Sequence, residues 1–399
     1  DARIDKEGAA LGLSMELLER PFETLSGGER TRALIVGLFV MPGAYPLLDE
    51  PTNHLDRHGR ELLADYLARQ ERGFVLVSHD RRFLDRCVDH VVSINRSDVR
   101  LNRGNFSTWK AQMDREQDHE QRRNARLERE LRSMERAARN RRTWSHAKEA
   151  QKIGSGPVDR GFIGHRAAKQ MKRALAVERR MEEALDEQRS LLNNVEKSHR
   201  LKLPEPDTKV SERLVSLEGI TLEVGGRTLL NDLSLAIHQG ERVALVGPNG
   251  CGKTSLLRTV VGELKPSAGT VRLASRIRWV RAHQIPRWQR GYLREHLRRA
   301  GLDEGLFRAI MGCLALVGEM FDRPLETFSQ GERKKVELCR SLLEPAHLLI
   351  WDEPLNYVDI ASREQIEALL LEHQPTLLCV EHDQAFIDAV ATRVVELPQ

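Results

Sequence analysis

Residues 21–56, PFETLSGGERTRALIVGLFVMPGAYPLLDEPTNHLD, align without a gap to residues 324–359, PLETFSQGERKKVELCRSLLEPAHLLIWDEPLNYVD, with 13 of 36 positions identical. The same offset of 303 residues carries SHDRRFLD (78–85) onto EHDQAFID (381–388), so that His79 falls on His382. Self-similarity at one fixed offset implies two copies of one domain. Any fold assigned to this chain must therefore build the same motif-bearing unit twice.

The second copy also holds GPNGCGKT at 247–254, with RVALV before it and SLLRTVVGEL after it. That order predicts strand, glycine-rich loop and helix, the G-x-x-x-x-G-K-[ST] arrangement in which backbone N–H groups and a helix N-terminus cradle phosphate. Gly247, Pro248, Asn249, Gly250, Cys251, Gly252, Lys253, Thr254 and Ser255 are the candidate ATP-binding residues. Lys253 suits the β- and γ-phosphates, and the Thr254 hydroxyl suits Mg²⁺. Downstream, LLIWDE (348–353) predicts an apolar strand ending in two acids. Asp352 is expected in the Mg²⁺ shell and Glu353 on the attacking water. Moving Lys253 back by the offset puts the first copy's loop about 50 residues before Asp1. Roughly 90 residues of that copy are expected upstream.

LSGGE (25–29) places a serine and two glycines at a predicted helix start, where free N–H donors can grip an anion, and FSQGE (328–332) is its second copy. LSGGE resembles the signature of the ABC ATPase superfamily. The resemblance implies that two ATPase domains pack head to tail, the signature of one closing over nucleotide held by the other. One composite site is then expected from Lys253, Thr254, Asp352, Glu353 and His382 with Ser26, Gly27, Gly28 and Glu29. A second would combine Asp49, Glu50 and His79 with Ser329, Gln330, Gly331 and Glu332, without a P-loop in this sequence. The resemblance further implies catalytic roles for Glu353, His382, Glu50 and His79, with the two histidines at the γ-phosphate. It implies Mg²⁺ near Thr254, Asp352, Asp49 and the Q-loop residue, for which Gln284 is the candidate. Val224 stands where such domains often carry an adenine-stacking aromatic.

Between the copies the composition changes. Residues 105–203 carry 24 basic and 15 acidic side chains, whereas the whole chain is only +4. Residues 107–151 lack glycine and proline, and Leu127, Leu131, Met134 and Ala138 fall at heptad-like spacing. A helix of that length reaches roughly 65 Å. A return arm from about residue 165 predicts an antiparallel helical hairpin, its tip at 152–165. Between Arg139 and Arg173 there are ten basic and two acidic residues, with Trp144, His146, Phe162 and His165 among them. That mixture suits contact with an irregular RNA surface. Lys152, Arg160, Phe162, His165, Arg166, Lys169, Lys172 and Arg173 are the candidate RNA-binding residues.

RGNFSTW (103–109) leading into this linker, together with DRGFIGHRAAKQMKR and WDEPLNYVD, resembles the ABC-F family of ribosome-associated ATPases, and in particular its antibiotic-resistance branch. That resemblance implies ATP and Mg²⁺ as cofactors, the ribosome as partner through rRNA and P-site tRNA, and a monomer whose two ATPase domains pair within one chain. The expected fold is α/β, with P-loop NTPase (ABC ATPase) domains, one partial and one complete, joined by a long helical hairpin. The expected domains are 1–104, 105–205 and 206–399. Two other readings share the ABC motifs. An ATPase subunit of a membrane transporter leaves the hairpin unexplained, and a coiled-coil DNA-maintenance ATPase would insert its arm within one ATPase domain. Five cysteines without a CxxC pair argue against a disulfide framework or zinc site and fit a reducing cytoplasm. No apolar run approaches the ~18 residues of a membrane span.

Overall fold

The computed structural model describes residues 2–53, 55–94, 98–120, 122–123, 125–126, 129, 203–204, 206–316 and 318–398. The chain divides into two compact units, one of residues 1–107 with 199–399 and one of residues 108–198. The start of the expected hairpin's first arm is described, and residues 106–120 are helical; the rest of that arm, the return arm and the tip, including Lys152, Arg160, Phe162, His165, Arg166, Lys169, Lys172 and Arg173, lie outside the described residues.

In the N-terminal part, strands β1 (Leu47–Asp49) and β2 (Val75–Val77) pair in parallel, and β3 (His90–Ile94) and β4 (Val99–Arg103) form an antiparallel pair. The C-terminal part opens with β5 (Arg213–Val224) and β6 (Arg227–His238), which with β8 (Ala268–Leu273) make an antiparallel sheet ordered β6-β5-β8. A parallel sheet of five strands follows, in the order β12-β7-β11-β10-β9. Its members are β7 (Arg242–Val246), β9 (Trp279–Ala282), β10 (Leu348–Asp352), β11 (Leu377–Val380) and β12 (Arg393–Glu396).

Alternation along these strands sorts the core into two. Leu348 and Ile350 of β10, and Leu378 and Val380 of β11, pack with the antiparallel sheet, whereas Leu349, Trp351, Leu377 and Cys379 point into the helical side. The sheet is covered on both faces, the condition under which a parallel strand is apolar at every position. LLIW obeys it, the acid Asp352 closing the strand: all five residues of β10 are buried, and Trp351 donates its indole N–H to Ser341 Oγ at 3.2 Å.

The repeated motifs set the helix starts in both copies. Ser26 caps the Gly27–Val40 helix and Ser329 caps the Gln330–Leu343 helix, each in a capping box with the glutamate three residues on. Asp56 and Asp359 cap the Arg57–Ala68 and Ile360–His373 helices by accepting from Gly59 N (2.8 Å) and Ser362 N (2.9 Å). Asp80 and Asp383 do the same for Phe83 N (3.0 Å) and Phe386 N (3.1 Å). Each pair is separated by the 303-residue offset, so the repeat is one of capping chemistry as well as of letters.

Candidate functional site

The glycine-rich loop leaves the buried strand β7 and enters the Lys253–Val260 helix at Gly252, whose φ of 98° is left-handed. Side chains are excluded there by the neighbours as well. A Cβ on Gly247 would stand 2.9 Å from Leu397 O, and one on Gly252 would stand 3.1 Å from Leu229 Cβ. Lys253 is only 6% exposed, and its Nζ turns back to donate to Gly247 O and Pro248 O, both at 2.8 Å. Burial pulls its ammonium below the usual lysine range, against the raising influence of nearby acids. Cys251 is buried, with its Sγ 3.0 Å from where a Gly247 Cβ would stand, and packs beneath the loop.

Thr254 Oγ1 donates to Asp352 Oδ1 at 3.0 Å, which joins the start of this helix to the end of β10. The other carboxylate oxygen, Oδ2, accepts from Arg281 Nη2 at 3.0 Å, and Arg281 also reaches Glu263 at 2.9 Å. Glu353 follows in a left-handed conformation (φ 48°), held by its N–H on Val380 O at 2.9 Å. Its carboxylate accepts from Asn356 Nδ2 at 2.9 Å and lies 3.7 Å from His382 Nε2. His382 beside it, helped by Lys253 and Asn356, outweighs burial and holds the Glu353 carboxyl below the usual range.

A cavity of about 870 Å³ opens where the two copies meet. Ser26, Gly27, Gly28 and Glu29 line it from the N-terminal part, and Asn249, Gly250, Gln284, Glu353 and His382 from the C-terminal part. Its size is that of a pocket for a drug-sized ligand. Gln330 lines the same cavity, and Tyr357 is its aromatic wall. Val224 instead closes β5 opposite Arg227, is 44% exposed and is not in this lining. Glu29 and Glu332 spend their carboxylates on their own helix starts, accepting from Ser26 N and Ser329 N at 2.8 Å. The bond from the Ser26 backbone is the main reason the Glu29 carboxyl sits below its usual range.

In the other copy, Glu50 repeats the left-handed backbone (φ 46°), with its N–H on Val77 O at 2.8 Å. Its surroundings differ. Glu50 Oε1 stands 3.4 Å from His79 Nε2 without hydrogen-bond geometry, and burial pushes its carboxyl up to about 7. Burial, then Arg363, pulls His79 below the ordinary imidazole range. Ser329, Gly331 and Glu332 form the start of the Gln330–Leu343 helix. A Cβ on Gly331 would meet Tyr357 O at 2.5 Å.

Two arginines related by the offset join the copies. Arg60 donates to its own Asp80 (3.1 Å) and Leu55 O (3.1 Å), and across to His382 O at 3.2 Å. Arg363 donates to Asp383 (2.8 Å), Val358 O (2.9 Å) and Leu355 O (3.0 Å), and across to His79 O at 3.0 Å. Arg81 adds a one-sided link to Glu367 and, at 3.5 Å, to Asp383. Sequence reasoning passed over Arg60, Arg363, Arg281 and Asn356. The offset could have flagged three of these, since Arg60 repeats as Arg363 and Asn53 as Asn356, but nothing local marks Arg281.

Residues 230–356 match the family described as ABC transporter. The chain is 30% identical to the ribosome protection protein VmlR of Bacillus subtilis, over 92% of this chain and 68% of that protein. It is 31% identical to the putative ATP-binding protein YdiF of the same organism, over 94% of this chain and 55% of that one. To ABC transporter F family member 2 of Arabidopsis thaliana it is 28% identical, spanning 99% of this chain and 56% of the relative. Among solved structures, an archaeal ribosome recycling factor, aABCE1, in complex with the stalk protein aP1 superposes with a TM-score of 0.63 at 21% identity. That match covers 99% of this chain and 65% of the other, and at such identity it speaks to the fold alone.

Proposed function

The chain belongs to the ABC-F family, and from that premise we propose that it is an ATP-hydrolysing protein of the cytoplasm that acts on the ribosome, protecting it from antibiotics. The observation that carries the ATPase reading is a cavity walled by Ser26, Gly27 and Gly28 from one copy and by Asn249, Glu353 and His382 from the other. A ligand that fills it touches both copies at once, so its binding and loss are coupled to their closure and opening.

In this reading the loop of Gly247–Ser255 wraps the phosphates and Lys253 exchanges its bonds to Gly247 O and Pro248 O for the β- and γ-phosphate oxygens. Thr254 and Asp352, with Gln284 at the cavity wall, are hard oxygen donors of the kind Mg²⁺ takes, and would hold it. Bound there, Mg²⁺ supplies charge neutralisation along the phosphate oxygens. Arg281 occupies one Asp352 oxygen and so orients the other toward Thr254. Glu353, kept ionised by His382, Lys253 and Asn356, orients and deprotonates the attacking water, and His382 contacts the γ-phosphate. Asp49, Glu50 and His79 would serve the second site opposite Ser329, Gln330, Gly331 and Glu332.

The chain spans 55–68% of the lengths of the curated relatives named above. The activity of the whole protein is proposed on the strength of VmlR's ribosome protection and the basic linker. The tip residues Lys152, Arg160, Phe162, His165, Arg166, Lys169, Lys172 and Arg173 would meet rRNA and P-site tRNA, in a monomer. Sedimentation of the protein carrying Glu353→Gln and Glu50→Gln with ribosomes tests this. Co-migration that depends on ATP is expected; its absence refutes the ribosome reading, and recovery with membrane subunits would point to a transporter. No described helix is long and apolar enough to cross a membrane.

A further inference from the structure

Residues 275–300, SRIRWVRAHQIPRWQRGYLREHLRRA, contain eight arginines, no lysine and one acid, Glu295. The fold uses some of these internally. Arg281 is turned in toward Asp352 and Glu263, and Arg294 pairs with Asp322 at 3.2 Å and, more loosely, with Glu304 at 3.5 Å. Arg278 and Arg287 stay exposed, and among the described residues no carboxylate forms an ion pair with either. They line an open groove of about 820 Å³ together with Arg299, Trp279, Trp288 and His296. One bank is the start of β9, the edge strand of the parallel sheet; the other is the Leu293–Ala300 helix. Glu344 also borders the groove, but its carboxylate is taken by Arg340 at 2.6 Å.

The aromatic part of the lining separates possible occupants. Trp288 is buried and stacks on His296 with ring centroids 5.0 Å apart and planes at 20°, which fixes the floor. Trp279 is 37% exposed at the rim. An anionic membrane or an acidic peptide would use the guanidiniums but offer no flat ring to Trp279. Duplex DNA keeps its bases stacked inside. RNA with unpaired bases supplies both phosphates for planar arginine forks and free π-faces for stacking.

We propose that the groove between β9 and the Leu293–Ala300 helix is a second RNA-binding surface. Arg278, Arg287 and Arg299 would bind the phosphates, and Trp279 would stack on an unpaired base. It goes beyond the linker tip and rests on the reading above only in taking RNA as a partner. The groove shares no lining residue with the nucleotide cavity, so it can be disabled separately.

The test uses the full chain with the tip neutralised (Arg160, Arg166, Lys169 and Arg173 to Ala) and measures anisotropy of a labelled single-stranded RNA oligonucleotide. Arg278→Glu with Arg287→Glu is expected to weaken binding at least tenfold and to flatten the salt dependence by about 1.4 log units per decade, the loss of two phosphate contacts on a single strand. Trp279→Ala is expected to weaken it at least fivefold while leaving the salt slope unchanged. Unaltered RNA affinity in these variants overturns the proposal. So does binding of duplex DNA, or of vesicles rich in anionic lipid, as strong as that of RNA. If the groove variants bind RNA like their parent while ATP-dependent ribosome sedimentation persists, only the groove assignment fails. Loss of that sedimentation in the unmodified protein defeats the ribosome reading instead.

Discussion

Replacing Arg363 by Met should be among the most destabilising changes that leave every candidate phosphate-contacting residue intact. Its guanidinium is nine-tenths buried and donates to Asp383, Val358 O, Leu355 O and His79 O. Burial alone would push the Asp383 carboxyl up; Arg363 and then Arg81 hold it below the ordinary range. Removing one partner of a buried ion pair costs about 3–5 kcal/mol. Arg81 remains 3.5 Å from Asp383, so the lower end, about 3 kcal/mol, applies. Arg60→Met removes the offset-related set, but there Arg60 and Asp80 are 14% and 12% exposed and water can replace the lost bonds. About 1–2 kcal/mol is expected for it. With a urea m-value of about 3 kcal/mol/M, the midpoint should fall by about 1 M for Arg363→Met and about 0.5 M for Arg60→Met. Because each arginine reaches the carbonyl of the opposite histidine, the double variant should depart from additivity by at least about 0.5 kcal/mol. Equal shifts for the two single variants, or strict additivity, would refute the argument that burial and the crossed bonds set these energies.

Further expectations follow from the same geometry. Glu50 titrates near 7 in the fold against 4.5 unfolded, so its contribution is present below about pH 4.5 and is lost as pH rises through 7. Glu50→Gln should therefore stabilise the protein by about 2 kcal/mol at pH 8 and much less at pH 5, read from thermal melts at both values. Glu353 has the opposite shift, its stabilising share being lost as pH falls below 4.5, and Glu353→Gln should give no such gain at pH 8. Lys253→Ala should weaken binding of a fluorescent ATP analogue at least tenfold, and unchanged affinity would contradict the P-loop assignment. Gly331→Ala drives a methyl group to 2.5 Å from Tyr357 O and should cost about 1–3 kcal/mol in denaturant melts. Gly37→Ala, with nothing within 4 Å, should be neutral or stabilise by up to about 1 kcal/mol.

Much of this site was legible in the residues. A strand that buries both faces must be apolar along its length, and VALV and LLIW are. A loop that must turn tightly against its neighbours lacks side chains at the crowded points, and Gly247 and Gly252 do. Ser26 and Ser329 announced helix starts because a serine followed three residues later by glutamate closes a capping box. Gln284, the candidate Q-loop residue, lines the cavity. Other parts left no local trace. Arg281 sits in a run of arginines with nothing to distinguish the one turned inward.

The sequence by itself determined that one unit occurs twice and where each copy places its loops, caps and acids, because those demands are local and repeat at a constant offset. It could not determine how alike the two copies are. Glu50 and Glu353 occupy the same repeat position and the same left-handed backbone, but one carboxyl is pushed up by burial and the other held down by His382, Lys253 and Asn356. Much of that difference comes from His382 and Lys253, which only the fold brings to Glu353. Only tertiary packing, within each copy as well as between them, decides which charges are buried and which meet a partner.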